Sequence, residues 1–380
     1  MDRKKIVYIS SVRYPTEKAY GVTVFHTMKA LEKIGFSTLI FEPFSAHKHM
    51  DANNNRKLLL SVLSMLLSSS RNTKTKFHAK RILMGFLGRS ISNEDYPIIW
   101  TRDPIIGILG LKKRRETKLV IEVHQNLSFL DKIALKALTL FAEVVIAPIS
   151  LNLKEQLEKS KYKFDASKIV LCPMGVPDTF FKARTPRRRI DIRDIRMSYV
   201  GGLKSNGIDQ GIKEIVSCIS TINNQSKDFQ IKINLYGLSE SEENEMRLLF
   251  VQEYQNRSIL SQQRQSHEDL IPKIQNDDIF LLPYPEGDYF HARFPLKALE
   301  YAALGRPIMV SDTPSHRNIF HEDEVWFFDY RSCNSFEYIL RALIEHDELT
   351  SSKIKQALIK AENHSYTRRV EPILSKLNCI

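Results

Sequence analysis

The sequence is poor in the features that define several protein classes. Only four cysteines occur in 380 residues (Cys172, Cys218, Cys333 and Cys379), and no two stand in a C-x-x-C pair. That spacing excludes a zinc ribbon and a disulfide framework and points to a reducing compartment. No apolar run approaches the length of a membrane span. The opening MDRKKIVYIS turns apolar for only a few residues, so it does not read as a signal peptide. G-x-S-x-G, Walker A and G-x-G-x-x-G motifs are missing, as is any cluster with metal-ligand spacing. What is present is ordinary for a globular chain: 43% hydrophobic and 26% charged residues. The length suffices for two sizeable cores.

The net charge of +12 is unevenly placed. Residues 1–183 hold 30 basic and 16 acidic side chains, a balance of +14. Residues 197–380 hold 20 and 26, a balance of −6. Six arginines and two aspartates fill residues 184–196. An anionic partner is therefore expected for the first half alone.

Short β-branched runs alternate with helical patterns in both halves. In the first they are Ile6–Ile9, Thr38–Phe41, Ile98–Thr101, Leu119–Val123, Val144–Ile149 and Ile169–Cys172. In the second they are Met197–Val200, Ile231–Tyr236, Ile279–Leu282, Pro307–Val310 and Val325–Phe328. Continuous apolar strands between helices imply parallel sheets covered on both faces. The expected fold is α/β, with two Rossmann-like doubly wound domains facing across a cleft. The expected boundaries are 1–183 for the first domain, 184–196 for a linker and 197–362 for the second. A C-terminal helix over 363–380 is expected to return to the first domain. Ligands in such sheets sit beyond the carboxyl ends of the strands.

The stretch 278–312, DIFLLPYPEGDYFHARFPLKALEYAALGRPIMVSD, carries the most chemistry. A buried strand ends in a polar loop, and a helix starts near Pro295. Lys297 and Glu300 fall on one face of its first turns. A lysine at a helix N-terminus suits a phosphate, and a carboxylate one turn on can accept two vicinal hydroxyls. The same pair also reads as a solvated i,i+3 pair on a surface helix. His124, at the end of a strand, reads either as a site residue or as a hydrogen-bonded turn residue. Asp277 and Asp278 read as structural, and Asp103 before Pro104 as a helix cap.

The run FPLKALEYAALGRPIMVSD resembles the nucleotide-binding segment of GT-B glycosyltransferases of the family 4, or group 1, type. Tyr14–Gly21, EVHQN (122–126), KIVLCPMGVPDTFF (168–181), SYVGGLKSNGID (198–209) and INLYG (233–237) resemble further landmarks in the expected order. The resemblance implies that Glu300 binds ribose hydroxyls and Lys297 the diphosphate. It implies that His124 lies near the donor sugar's hydroxyls, and that Gly21 is a loop glycine admitting the diphosphate. Gly201, Gly202, Lys204 and Arg293 complete the implied donor site. Two departures stand out. Ala292 occupies the position of the family's first glutamate, for which Glu286, Asp288, His291 and Arg293 are the nearby substitutes. Gly202 and Asn206 replace the usual phosphate-binding cations. The implied chemistry is retaining transfer from a UDP- or GDP-linked sugar, without cofactor or metal.

From Arg56 to Asn93 the chain has eight basic residues, no acid and many apolar ones. Such a mixture fits an anionic membrane surface, or a core helix with a solvated basic face. Nucleic acid is disfavoured, because stacking aromatics are not interleaved. A glycan or polyprenyl-linked acceptor and a peripheral location on the cytoplasmic face are expected. Two other readings are a degenerate GT-B protein that binds membrane or a partner without turnover, and a nucleotide-sugar epimerase. A phosphorylase would need a pyridoxal-phosphate lysine that has no candidate position.

Overall fold

The computed structural model describes residues 4–10, 19–41, 80–86, 89, 97–111, 117–205, 207–287, 290 and 296–380. The chain divides into two compact units: residues 1–175 with 366–380, and residues 176–365.

Unit 1 runs β1 (Lys5–Ile9), α1 (Ala19–Lys33), β2 (Ser37–Phe41), β3 (Ile98–Thr101), α2 (Pro104–Gly110), β4 (Lys118–Val123), α3 (Phe129–Phe141), β5 (Glu143–Pro148) and α4 (Leu151–Glu158). Its five strands are parallel in the order β2-β1-β3-β4-β5. Alternate residues of one strand enter opposite cores. Leu119, Ile121 and Val123 join one, and Val120 joins the other. Both faces are buried, which is why these strands are continuous apolar runs rather than alternating ones. Serines at the helix starts accept backbone N–H groups: Ser128 for α3 and Ser150 for α4.

Unit 2 runs α5 (Asp178–Lys182), β6 (Ile195–Val200), the two-stranded ribbon β7 (Lys204–Ser205) and β8 (Ile208–Asp209), α6 (Ile212–Gln225), β9 (Ile231–Leu238), α7 (Glu240–Leu249), α8 (Val251–Gln255), β10 (Ile259–Gln263) and α9 (His267–Ile274). It continues with β11 (Ile279–Leu282), α10 (Leu296–Ala303), β12 (Ile308–Ser311), α11 (Pro314–Arg317), β13 (Trp326–Phe328), α12 (Cys333–Glu345) and α13 (Asp347–Asn363). The large sheet is parallel in the order β10-β9-β6-β11-β12-β13.

The last helix, α14 (Tyr366–Lys376), belongs to unit 1. Val370, Ile373 and Leu374 share a core with Val24, Met28 and Leu31 of α1. Gly175 marks the crossing back, because a Cβ there would lie 2.8 Å from the Tyr366 ring. No other residue fits without moving α14.

Three expectations are corrected. The boundary falls at Gly175, not at residue 183. Residues 184–196 are not a linker but part of unit 2. Ile190 is buried in its core, Arg188 forks onto Asp278 (2.7 and 2.9 Å), and β6 begins at Ile195. The arginine cluster that suggested a solvated hinge therefore pairs with acids of the same unit. The strand expected over Ile169–Cys172 is a single bridge from Ile169 to Ile146, continued by N–H donation from Val170 and Cys172 to the β5 backbone.

Candidate functional site

In unit 2 the carboxyl end of β6 is fixed by tyrosines. The Val200 N–H donates to the Tyr301 hydroxyl at 2.9 Å, and Tyr301 stacks on Phe280 with centroids 4.3 Å apart. The Tyr199 hydroxyl donates to the Gly202 carbonyl at 2.9 Å. Against this frame lies Lys297, whose ammonium sits 5.7 Å from the centre of the Tyr199 ring. A Cβ on Gly201 would meet the Lys297 Nζ at 2.6 Å and the Tyr199 Oη at 2.7 Å. Glycine is thus favoured here by close approach, since the buried Tyr199 ring already occupies the space of a side chain.

Among the described residues Lys297 has no hydrogen-bond or ion-pair partner. Burial pulls its pKa down to about 8, while the Glu300 charge opposes the fall and Arg264 adds to it. Glu300 lies one turn on in α10 and is 8% exposed. A fully solvated surface pair does not describe them, because Glu300 is enclosed and Lys297 is half-buried.

Gly202 abuts a carboxylate. A Cβ there would lie 2.9 Å from the Glu242 Oε1. Glu242 is the N3 residue of a capping box at the start of α7. Burial pushes its pKa up, but N–H donation from Ser239 (2.8 Å) and Lys204 (3.0 Å) wins and holds it below the usual range. The Lys204 side chain is exposed on β7. Gly201, Gly202 and Lys297 are therefore brought together, and Lys204 joins them through its backbone and Glu242. Arg293 lies outside the described residues, as do Ala292, His291 and Asp288. Glu286 is half-exposed and pairs with Arg331 at 3.8 Å. The basic stretch 56–93 is described only at residues 80–86 and 89.

In unit 1, His124 follows β4 and its Nε2 lies 2.9 Å from the Glu122 Oε2. Glu122 is 1% exposed and accepts also from Arg102 (3.0 Å) and Arg369 (2.8 Å). Burial alone would raise its pKa, but these cations hold it well below the carboxylate range. Burial, then the Arg102 charge, lowers the His124 pKa to about 4 despite Glu122. The imidazole is therefore neutral at pH 7. An ionised Glu122 only accepts, so Nε2 carries the proton and Nδ1 keeps a lone pair. The His124 ring is thus not a cation, and its Nδ1 is able to accept a hydrogen bond.

Gly21 is buried in the first turn of α1, which corrects the expectation of a loop. Asp103 caps α2 through the N–H groups of Ile105 (2.9 Å) and Ile106 (3.3 Å), and Arg81 forks onto it. Asp277 accepts from Ser198 and Asn234, and Asp278 is taken by Arg188 and the Arg196 N–H.

Residues 194–346 match the family described as Glycosyl transferases group 1. The match lies within unit 2 and ties that part of the chain to this group. Similarity of fold extends beyond the matched residues. A glycosyltransferase from Rickettsia africae is 15% identical, with 99% of each chain covered and a TM-score of 0.68. Sucrose-phosphate synthase from Thermosynechococcus elongatus is 15% identical over 99% of this chain and 98% of that one, with a TM-score of 0.64. HepE from Anabaena, solved with UDP and glucose, is 10% identical over the whole of both chains, with a TM-score of 0.59. These likenesses identify the fold as GT-B. Comparison with curated proteins gives no match.

The chain also contains functional-site candidates that sequence reasoning missed. Glu122 was passed over beside His124, although a carboxylate inside an otherwise apolar strand signals a buried partner. Arg369 carried no local signal, because it stands 247 residues away in α14.

Proposed function

We propose that this chain is a glycosyltransferase that moves a sugar from a UDP- or GDP-linked donor to a glycan acceptor carried on lipid, with retention of configuration. The observation that carries the donor assignment is Lys297, a half-buried lysine without an anionic hydrogen-bond partner among the described residues, at the carboxyl end of β6 with Glu300 one turn on. Such a group is worth most against a phosphate, which supplies the missing charge. Glu300 would accept the two ribose hydroxyls. The UDP and glucose held by HepE support a donor of this class.

In the proposed reaction the bond from the anomeric carbon to the phosphate oxygen breaks, and its electron pair leaves with the phosphate. The acceptor oxygen bonds to that carbon on the same face. The acceptor's proton passes to the departing phosphate oxygen. Lys297 stabilises the charge that develops there, and the neutral His124 orients a sugar hydroxyl. No enzyme nucleophile, cofactor or metal ion enters this scheme.

The acceptor assignment rests on charge. The +14 balance of residues 1–183 suits a polyprenyl-diphosphate sugar or glycolipid at an anionic, cytoplasmic membrane face. The product would be a surface polysaccharide or glycolipid. No helix among the described residues is long and apolar enough to cross a membrane, so the proposed attachment is peripheral.

The test is release of nucleoside diphosphate from a panel of UDP- and GDP-sugars, with and without lipid extract. Turnover by the wild type, loss with Glu300→Ala, and no effect of a chelator are expected. If no donor is bound or consumed, the reading of a binding protein without turnover replaces this one. The anomeric configuration of the product, read by NMR, checks retention.

A further inference from the structure

Helix α3 of unit 1 is apolar on both sides. Ala134, Leu135 and Leu138 face the core. On the other side Phe129, Leu130, Ile133 and Leu140 are 64%, 55%, 44% and 67% exposed. Phe129, Ile133 and Leu140, at i, i+4 and i+11, share one helix face. A surface helix of a soluble domain normally carries polar residues there. The acid of this helix, Asp131, is taken by Arg81.

Beside the stripe lies a surface depression of about 480 Å³. Lys132 of α3 lines it together with Asn152, Gln156, Lys159, Lys161 and Tyr162. Glu155, also on its wall, pairs with Lys159 at 2.9 Å. The lining thus keeps a positive excess. Leu151, at the start of α4, is 62% exposed.

We infer that α3 with the adjoining lysine-lined depression is the surface by which unit 1 docks on an anionic lipid bilayer. The apolar face enters the boundary between headgroups and acyl chains, and the depression receives a lipid phosphate. This rests on the membrane reading above and deepens it, because it names a surface outside the basic stretch 56–93. Charge complementarity selects the occupant. An apolar stripe flanked by lysines fits a partner that is greasy and negative. A second copy of this chain would set the same lysines against each other across a two-fold axis.

The experiment is co-sedimentation of the full chain with phosphatidylglycerol–phosphatidylethanolamine vesicles and with pure phosphatidylcholine vesicles, at low and high salt and without donor. The wild type should bind the anionic vesicles, more weakly at high salt, and the neutral ones far less. Phe129→Ser with Leu140→Ser should lower partitioning by about tenfold or more, because two exposed apolar side chains lose their burial in lipid. Lys132→Glu with Lys161→Glu should lower it and flatten its salt dependence. Leu248→Ser, at an 80% exposed leucine of unit 2, is the control and should change nothing. All five sites are exposed or half-buried, so melting temperatures should hold and a folding defect would show.

Unchanged binding in both double variants overturns the inference. So does a wild type that ignores anionic vesicles, or an α3 variant that dissolves a dimer while vesicle binding persists. Donor turnover in solution, measured on the same preparations, separates this inference from the activity. A wild type that turns over donor yet ignores anionic vesicles refutes the surface alone. Turnover absent with vesicle binding kept refutes the activity alone.

Discussion

The two units share an architecture, but one charged cluster in each is satisfied in opposite ways. In unit 1, Glu122 is enclosed with Arg369, Arg102 and His124, and Arg369 also reaches Thr27 and the Pro173 carbonyl. Every charge there has a partner inside the protein. In unit 2, the ammonium of Lys297 rests on a tyrosine ring with no carboxylate in hydrogen-bond range among the described residues. A self-satisfied network holds a fold in place and leaves little for a ligand. An unmatched cation does the reverse: it costs the free protein stability and offers a ligand more.

The largest effect tests the first half of that contrast. Arg369→Met strands Glu122 and should cost about 3–5 kcal/mol of stability, read by urea or thermal unfolding. Adding Glu122→Gln should restore part of it. The second change removes one charge from unit 2. Lys297→Met should leave the melting temperature unchanged or higher, yet weaken nucleoside diphosphate binding by roughly tenfold to a hundredfold in calorimetry. If it unfolds the protein as Arg369→Met does, the contrast between the units collapses.

The third test uses pH. Lys297 titrates near 8 in the folded chain, below its usual 10.5. Its proton leaves as pH rises through 8, so donor affinity should fall from pH 7 to pH 9. Lys297→Arg should flatten that slope. The sign for stability is opposite. The folded chain holds this proton less tightly than the unfolded one, so the penalty applies in full below 8 and fades towards 10.5. The smallest effect belongs to His124. It is neutral well above its pKa of about 4, so it should add no inflection to the rate between pH 6 and 9. His124→Ala should weaken diphosphate binding less than Lys297→Ala does. Equal losses would contradict the assignment of the phosphate charge to Lys297.

The sequence disclosed those parts that physics writes locally. Apolar runs buried on both faces announced parallel strands, and Asp103 before Pro104 announced its helix cap. Lys297 and Glu300 were legible from one helix turn. The rest depended on pairings distant in the chain. Arg188 looked like part of a charged linker because its partner, Asp278, is 90 residues on. Gly202 read as the loss of a cation, and only the fold shows Glu242 beside it. Gly21 read as a loop residue, since one glycine does not reveal whether a helix has already begun. The exposed side of α3 was hidden for a related reason: FLDKIALKALTLF has the period of a core helix, and periodicity does not tell which apolar face is covered.

Arg369 also sets an order in time. Glu122 leaves the ribosome 247 residues ahead of its guanidinium partner. At about 5–20 residues per second, roughly 12–50 s of synthesis separate the two. For most of that interval, once β5 has been made, the five strands of unit 1 are present, but their buried carboxylate lacks its counterion and α1 lacks the helix it packs on. The first unit to be translated is therefore the last to be completed, and unit 2 is made entirely within the wait.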